Sequence, residues 1–326
     1  MAPLTSRQAQ VVDPILTPLI QDYRPDTSMH VWPILFPIAS VNLLEGKYIR
    51  HSKSGFVEVD IRRAKTGAIQ RVRRGWTDES VSLERRSMAG EVAQSDAEQA
   101  ANIPGAGIAL QQREMTLTMD QVSLQIEIEA ARVAQDTDSF ASGHSTSLAS
   151  GARWDKTGAD PQVAVSDAKA LVRRKCGREP NVLVLGYEVC RKLLLREDIK
   201  EEIYGDMPRL ERTMSDADKL MRLARYFGVD HVAQCQALKV QTEDDDDFDE
   251  VWGKVAILAR SELSAESDTV LHRVTWGAGL RLMGYPRALE SWYDNDHTCW
   301  VHPMETYDTP VTITDNAGYL WLTAVD

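Results

Sequence analysis

The chain has 326 residues, 43% of them hydrophobic, enough to bury one large core or two modest ones and too many for a disordered linker. Its 49 acidic residues against 37 Lys and Arg leave a formal charge of −12, which argues against general affinity for nucleic acid phosphates, since that needs clustered basic residues. Cys176, Cys190, Cys235 and Cys299 are widely spread and form no Cys-x-x-Cys pair, so neither a disulfide nor a zinc framework is expected.

Residues 1 to about 45 carry Pro3, Pro14, Pro18, Pro25, Pro33 and Pro37, which oppose a long helix or a central strand. No basic and then apolar leader opens the segment. Its most apolar run, His30 to Leu44, is too short to span a bilayer, so a soluble protein made in the cytosol is expected. Ile15, Leu16, Leu19, Ile20, Trp32, Ile34, Leu35 and Phe36 are too many apolar side chains for a disordered tail. The segment therefore reads as an extended arm lying on something, a neighbouring subunit being the natural candidate.

From Gly46 to Leu83 the pattern turns to strands. Tyr48, Phe56, Val57, Val59 and Ile61 precede a Thr66-Gly67 turn, and Ile69, Val72, Trp76, Val81 and Leu83 follow it, which predicts a long hairpin. Lys47, Arg50, Lys53, Arg62, Arg63, Lys65, Arg71, Arg73 and Arg74 outnumber the acidic residues of this stretch, among them Glu58 and Asp60. A lone two-stranded ribbon is marginal in water, so this one packs either on its own domain or on a neighbour. Glu84 to Gly105, polar and alanine-rich, reads as a short helix and a loop ending at Pro104-Gly105.

Ile108 to about Thr137 is the longest helical pattern. Met115, Met119, Val122, Ile126, Ala130 and Val133 form one stripe, broadened by Leu117, Leu124, Ile128 and Ala131. A coiled coil would need a longer repeat with flanking charge pairs. After Trp154, Asp160 suits an N-cap, Pro161 the first helical position and Gly177 a left-handed stop, with Arg173, Arg174 and Lys175 at the negative end of the helix dipole. Val182 to Leu185 is wholly apolar, as in a strand covered on both faces, and Gly186 turns the chain into a second helix. Ser215 and Asp218 cap a further helix that stops at Gly228. Val229 to Val240 and Val251 to Arg260 read as strands flanking the acidic loop Glu243 to Glu250. Thr269 to Thr275 reads as another strand and Trp276-Gly277 as a turn, and Ser291 to Asp326 as short strands ending in Asn316-Ala317-Gly318-Tyr319-Leu320.

The order Trp154-Asp155, Asp160-Pro161, a helix, Gly177-x-x-Pro180-Asn181, an apolar strand and a helix ending near Leu193 resembles the core of tailed-bacteriophage major capsid proteins. The resemblance extends through the long helix, the hairpin and the terminal Ala-Gly-Tyr strand. It implies an α+β, Hong Kong 97-like fold: an N-terminal arm (1–45), an extended hairpin loop (46–87), a peripheral domain (88–160 and 291–326) on a spine helix at about 106–137, and an apical domain (161–290). It also implies the function. Copies of the chain would form pentamers and hexamers of an icosahedral shell in the host cytoplasm, enclosing double-stranded DNA without reading its sequence and without contacting a membrane.

Scaffolding, portal and decoration proteins are the further partners implied. Because the arm begins at Met1, a separate scaffold or none is expected, and no covalent cross-link is predicted. The side chains expected to touch a neighbour are Trp32, Phe36, Arg50, Lys53, Arg62, Arg63, Lys65, Arg71, Arg73, Arg74 and Trp76, the cations meeting acidic surface on the adjacent copy.

No nucleophile elbow, P-loop, dinucleotide glycine fingerprint or His-Glu-x-x-His is present. His297, Cys299 and His302 with Asp294 and Asp296 are the best metal candidates, but strand alternation separates them, so no metal or cofactor is expected. Glu243 to Glu250 lacks the glycine and ligand alternation of a calcium loop and reads as a solvated, self-repelling segment, expected to project at a rim where subunits converge. An encapsulin-type nanocompartment shell is the alternative of the same fold. A hydrolase with scattered Asp, His and Cys residues is the more remote one.

Overall fold

A computed structural model describes residues 12–14, 16–26, 29–51, 62, 76–102, 106–204, 214–242, 247–263 and 270–326. The proline-rich start folds into two short helices, α1 (Leu16–Gln21) and α2 (Trp32–Leu35), and a strand, β1 (Ile38–Val41). Strand β2 (Glu45–His51) pairs antiparallel with β3 (Trp76–Ser82), in register from Glu45 with Ser82 to His51 with Trp76, so the base of the expected hairpin is present. Its far part, with the Thr66-Gly67 turn, Phe56 and Val72, lies outside the described residues, as do Ile15 and Pro104-Gly105.

Strand β4 (Arg85–Ala93) and helix α3 (Gln94–Ala101) come next. The helix is the short one expected in this stretch, and the strand corrects the reading of residues 85–93 as part of a helix and loop. Only Gly90 and Val92 of β4 are buried, so its sequence carries no apolar alternation, and it is a strand because β14 pairs with it along its length. Helix α4 (Ala106–Gln135) matches the expected spine helix, with Met115, Met119, Val122, Ile126 and Ala130 buried. Leu117 is exposed, so the apolar face is narrower than the composition suggests.

Then follow β5 (Ser145–Ser147), α5 (Pro161–Cys176), β6 (Val182–Leu185), α6 (Tyr187–Leu195), α7 (Glu197–Tyr204) and α8 (Asp216–Phe227). The caps are those the sequence specifies. Asp160 Oδ1 accepts from the Val163 amide at 3.1 Å and Ser215 Oγ from the Asp218 amide at 3.2 Å, while Gly177 (φ 78°) and Gly228 (φ 61°) end the helices in the left-handed region.

The remaining strands are β7 (His231–Gln234), β8 (Leu238–Lys239), β9 (Asp249–Glu250), β10 (Ala256–Ala259), β11 (Gly277–Leu282), β12 (Arg287–Ala288), β13 (Trp292–Asp294), β14 (Cys299–Thr312) and β15 (Gly318–Leu322). Here the expected strand at 269–275 and turn at Trp276-Gly277 are corrected. Val270–His272 is a 3-10 turn and the strand begins at Gly277. A Cβ on Gly277 would lie 2.6 Å from the Phe36 ring and one on Gly279 3.1 Å from the Phe36 carbonyl oxygen, so these glycines let the N-terminal segment lie against the strand rather than make a turn.

Two sheets organise the described residues. One runs β1-β11-β14-β12, with β4 and β13 also on β14. The 14-residue β14 accommodates Pro303 between the stretches paired with β13 and β12, and Pro310 where β11 is its one partner. The other sheet runs β5-β15-β10-β6-β7 and is covered on both faces. Val182, Val184 and Ile257 join the core around α4, while Leu183, Leu185 and Leu258 join a second core with α5, α6 and α8. That double covering is what a run of four apolar residues requires. The sheet draws β5 and β15 from one side of the expected boundaries at 160 and 290, and β6, β7 and β10 from the other. All four cysteines are free and buried.

Candidate assembly surface

The residues expected at a subunit contact fall into three groups. Arg50 lies on β2 and Trp76 on β3, in adjacent pairs at the same end of their ladder (Arg50 with Thr77, His51 with Trp76). Arg62 is exposed, and Lys53, Arg63, Lys65, Arg71, Arg73 and Arg74 lie outside the described residues. Trp32 and Phe36 are a correction: they are 2% and 0% exposed, inside the subunit's own core. Phe36 packs 5.2 Å from the Trp276 ring, itself stacked at 5.0 Å on Phe140, so the described part of the arm is held by its own chain.

The residue that holds it was not singled out by sequence. Glu127, in the middle of α4, is fully buried. Its carboxylate accepts from the backbone amides of Val31 (3.2 Å) and Trp32 (3.0 Å), from the Trp252 indole N–H (2.5 Å) and from the Cys235 thiol (3.8 Å), with His30 Nδ1 at 3.7 Å. Burial, and after it the Glu127 charge, push the Cys235 thiol well above its ordinary range, so it keeps the proton it donates. Periodicity marks Glu127 as a polar break in an apolar stripe; only its spacing from Val122, Ile126 and Ala130 hints that it faces inward.

The metal candidates do not converge. His297 is exposed and hydrogen-bonded to Asp294 at 2.8 Å, which raises the imidazole pKa and lowers that of the carboxyl. Cys299 and His302 project from opposite faces of β14, and burial pushes the His302 pKa down while Ser291 Oγ lies 2.6 Å from its Nδ1. Among the described residues no group of three His, Cys, Asp or Glu could hold a metal ion, and no helix is long and apolar enough to cross a membrane.

What the described surface does offer is contact area. Trp292 and Trp300 are 50% and 40% exposed near the β13–β14 turn, and Phe248 is 67% exposed in the acidic loop.

No family model matches the chain. In sequence it is 24% identical over 281 residues, 85% of each chain, to the major capsid protein of Burkholderia phage BcepMu. Among solved structures it is similar to a phage-related protein of Bordetella bronchiseptica, with a TM-score of 0.77 and 24% identity over 97% of this chain and 98% of that one. The capsid of cyanophage P-SCSP1u gives 0.55 at 7% identity, over 92% and 90% of the chains. An encapsulin complex of Synechococcus elongatus gives 0.52 at 11%, over 100% and 96%. The fold is thus the Hong Kong 97-like fold that the sequence resemblance implies.

Proposed function

We propose, from the premise that this chain is a relative of phage major capsid proteins and has their fold, that it builds the icosahedral shell of a tailed phage around double-stranded DNA. The observation that carries the proposal is the sequence kinship with a phage major capsid protein across 85% of both chains. Many copies associate as pentamers and hexamers. The hairpin of residues 46–87 reaches a neighbour, the long helix α4 anchors a peripheral domain, and residues 161–290 form the apical domain. Modest contacts repeated about symmetry axes sum to a durable lattice. Scaffolding, portal and decoration proteins are the partners such a shell would take. The relatives are structural proteins, and the chain has no enzymatic role.

Electron microscopy of the purified protein tests this reading: closed shells, or rings of five and six, are expected. Arg71→Glu with Arg73→Glu in the hairpin should leave folded, soluble subunits and few shells; normal shells would sink the role given to these cations. The encapsulin alternative shares the fold but has the weaker sequence likeness, at 11% identity. Nucleic acid inside purified particles supports the phage shell, and a protein cargo supports the compartment.

A further inference from the structure

Three arginines from three separate segments line one cavity of about 290 Å³: Arg178 in the turn after α5, Arg260 directly after β10, and Arg273 after the 3-10 turn that precedes β11. Glu262 and Val274 complete the lining. Hydrogen bonds knit the three segments together. The Asn181 side chain accepts from the Ser261 amide at 2.8 Å and donates to the Ser261 carbonyl at 2.9 Å, which holds the turn carrying Arg178 to the residue beside Arg260. The Arg260 carbonyl accepts from the Trp276 amide at 2.8 Å, so the segment carrying Arg273 is held to the same place. The Cys176 thiol donates to the Arg178 carbonyl at 3.1 Å and pins that backbone to the end of α5. Donors fixed in this way need not gather when a ligand arrives.

The cavity holds more positive charge and more N–H donors than its own carboxylate uses. Glu262 accepts from Arg260 at 2.5 Å and from Arg273 at 3.2 Å. Burial would raise the Glu262 pKa, but Arg260 and then Arg273 hold the carboxyl below its ordinary range, so it is a fixed counter-charge. Arg178 enters none of the ion pairs among the described residues. Arg260 Nε is buried and has no hydrogen-bond partner among them, a costly state for a guanidinium N–H. Charges on the flanking segments do not alter this balance: Arg173, Arg174 and Lys175 are matched in number by Glu179, Asp230 and Asp315, Glu179 pairs with Arg173 at 3.4 Å, and none of the six lines the cavity.

We propose that this cavity binds a phosphate-type oxyanion, held by Arg178, Arg260 and Arg273, with Glu262 positioning two of the three. A guanidinium presents a planar fork of donors that pairs with oxyanions two bonds at a time. A carboxylate, with two oxygens, can face two such forks; a phosphate group keeps three free oxygens even when esterified once, and can face all three. The arginines exceed Glu262 by two positive charges, which matches a phosphate monoester near neutral pH, its second pKa being about 6. Bound there, the ion bridges the turn after α5, the end of β10 and the approach to β11, and stabilises the fold by mass action. The site does not depend on the shell reading.

The test is isothermal titration of inorganic phosphate into the full chain at constant ionic strength, in a buffer free of other oxyanions. Melting temperature alone would not serve, because phosphate stabilises many folds by exclusion from their surface. One saturable site per chain is expected. Arg178→Gln and Arg273→Gln, at exposed positions, should keep the fold by circular dichroism and each weaken binding about tenfold or more. Arg173→Gln, outside the cavity, should leave it unchanged. No saturable binding, undiminished affinity in Arg178→Gln, or an equal loss in Arg173→Gln overturns the site. Glu266 and Asp268 lie outside the described residues, so Glu266→Gln with Asp268→Asn is a further variant. Phosphate binding seen only there would mean that the chain's own carboxylates occupy the arginines, and overturns the proposal too. A thymidine dinucleotide with and without a 5′ phosphate separates the sources. Displacement of the ion by the phosphorylated form alone makes a terminal phosphate the ligand, and displacement by neither makes it the free ion. Equal displacement by both would show unselective attraction of phosphodiesters and overturn the site.

Discussion

A carboxylate with no solvent exposure survives only if protein donors replace its hydration, and Glu127 has four of them from three separate segments. The donors come from the residues at the start of α2, from the loop after β7 and from the approach to β10, so one side chain of α4 fixes the N-terminal segment and one end of the five-stranded sheet together. Removing it strands at least two backbone amides and an indole N–H in the core, each costing about 1–3 kcal/mol. Glu127→Ala is therefore expected to lower stability by about 3 kcal/mol or more in urea unfolding. Glu127→Gln, which keeps one carbonyl oxygen, should lose less. Equal losses would show that the site acts by volume and not by hydrogen bonding.

Among the elements, the β6–α6 corner is the tightest. A Cβ on Gly186 would lie 1.8 Å from the Gly253 carbonyl oxygen, where backbone meets backbone and no side chain can move aside. Gly186 also donates to the Val255 carbonyl at 3.0 Å, tying the corner to β10. Gly186→Ala should thus force the strand ends apart and cost about 3 kcal/mol or more, at the upper end of overpacking. Asp160→Ala, which removes only the α5 cap bond, should cost about 1 kcal/mol. Melting the two variants side by side checks the order, and a similar loss in both would contradict the steric account.

For the whole molecule, the formal charge of −12 makes copies repel at long range, and the proposed role of the basic hairpin segment is to offset that repulsion at contact. Association through exposed charge is screened as the Debye length falls from about 10 Å at 0.1 M salt to about 3 Å at 1 M. Rings or shells formed at low salt are expected to dissociate at high salt, with the fold unchanged by circular dichroism. Particles indifferent to salt would place the cohesion in apolar contacts such as Trp292, Trp300 and Phe248 instead.

The sequence by itself determined what depends on near neighbours in the chain. Asp160, Pro161 and Gly177 bound α5, Ser215 and Gly228 bound α8, the apolar stripe of α4 gives the spine helix, and Val182 to Leu185 reads as a strand covered on both faces. These signals work because caps, stripes and buried runs act within a few residues. Tertiary structure alone decided the rest. Strand β4 exists through its pairing with β14, Gly277 and Gly279 are strand residues because Phe36 lies on them, and Trp32 and Phe36 face inward because Glu127 anchors the backbone before them. Each of these turns on contacts between residues tens to hundreds of positions apart, and no local pattern records which distant surface a side chain will meet.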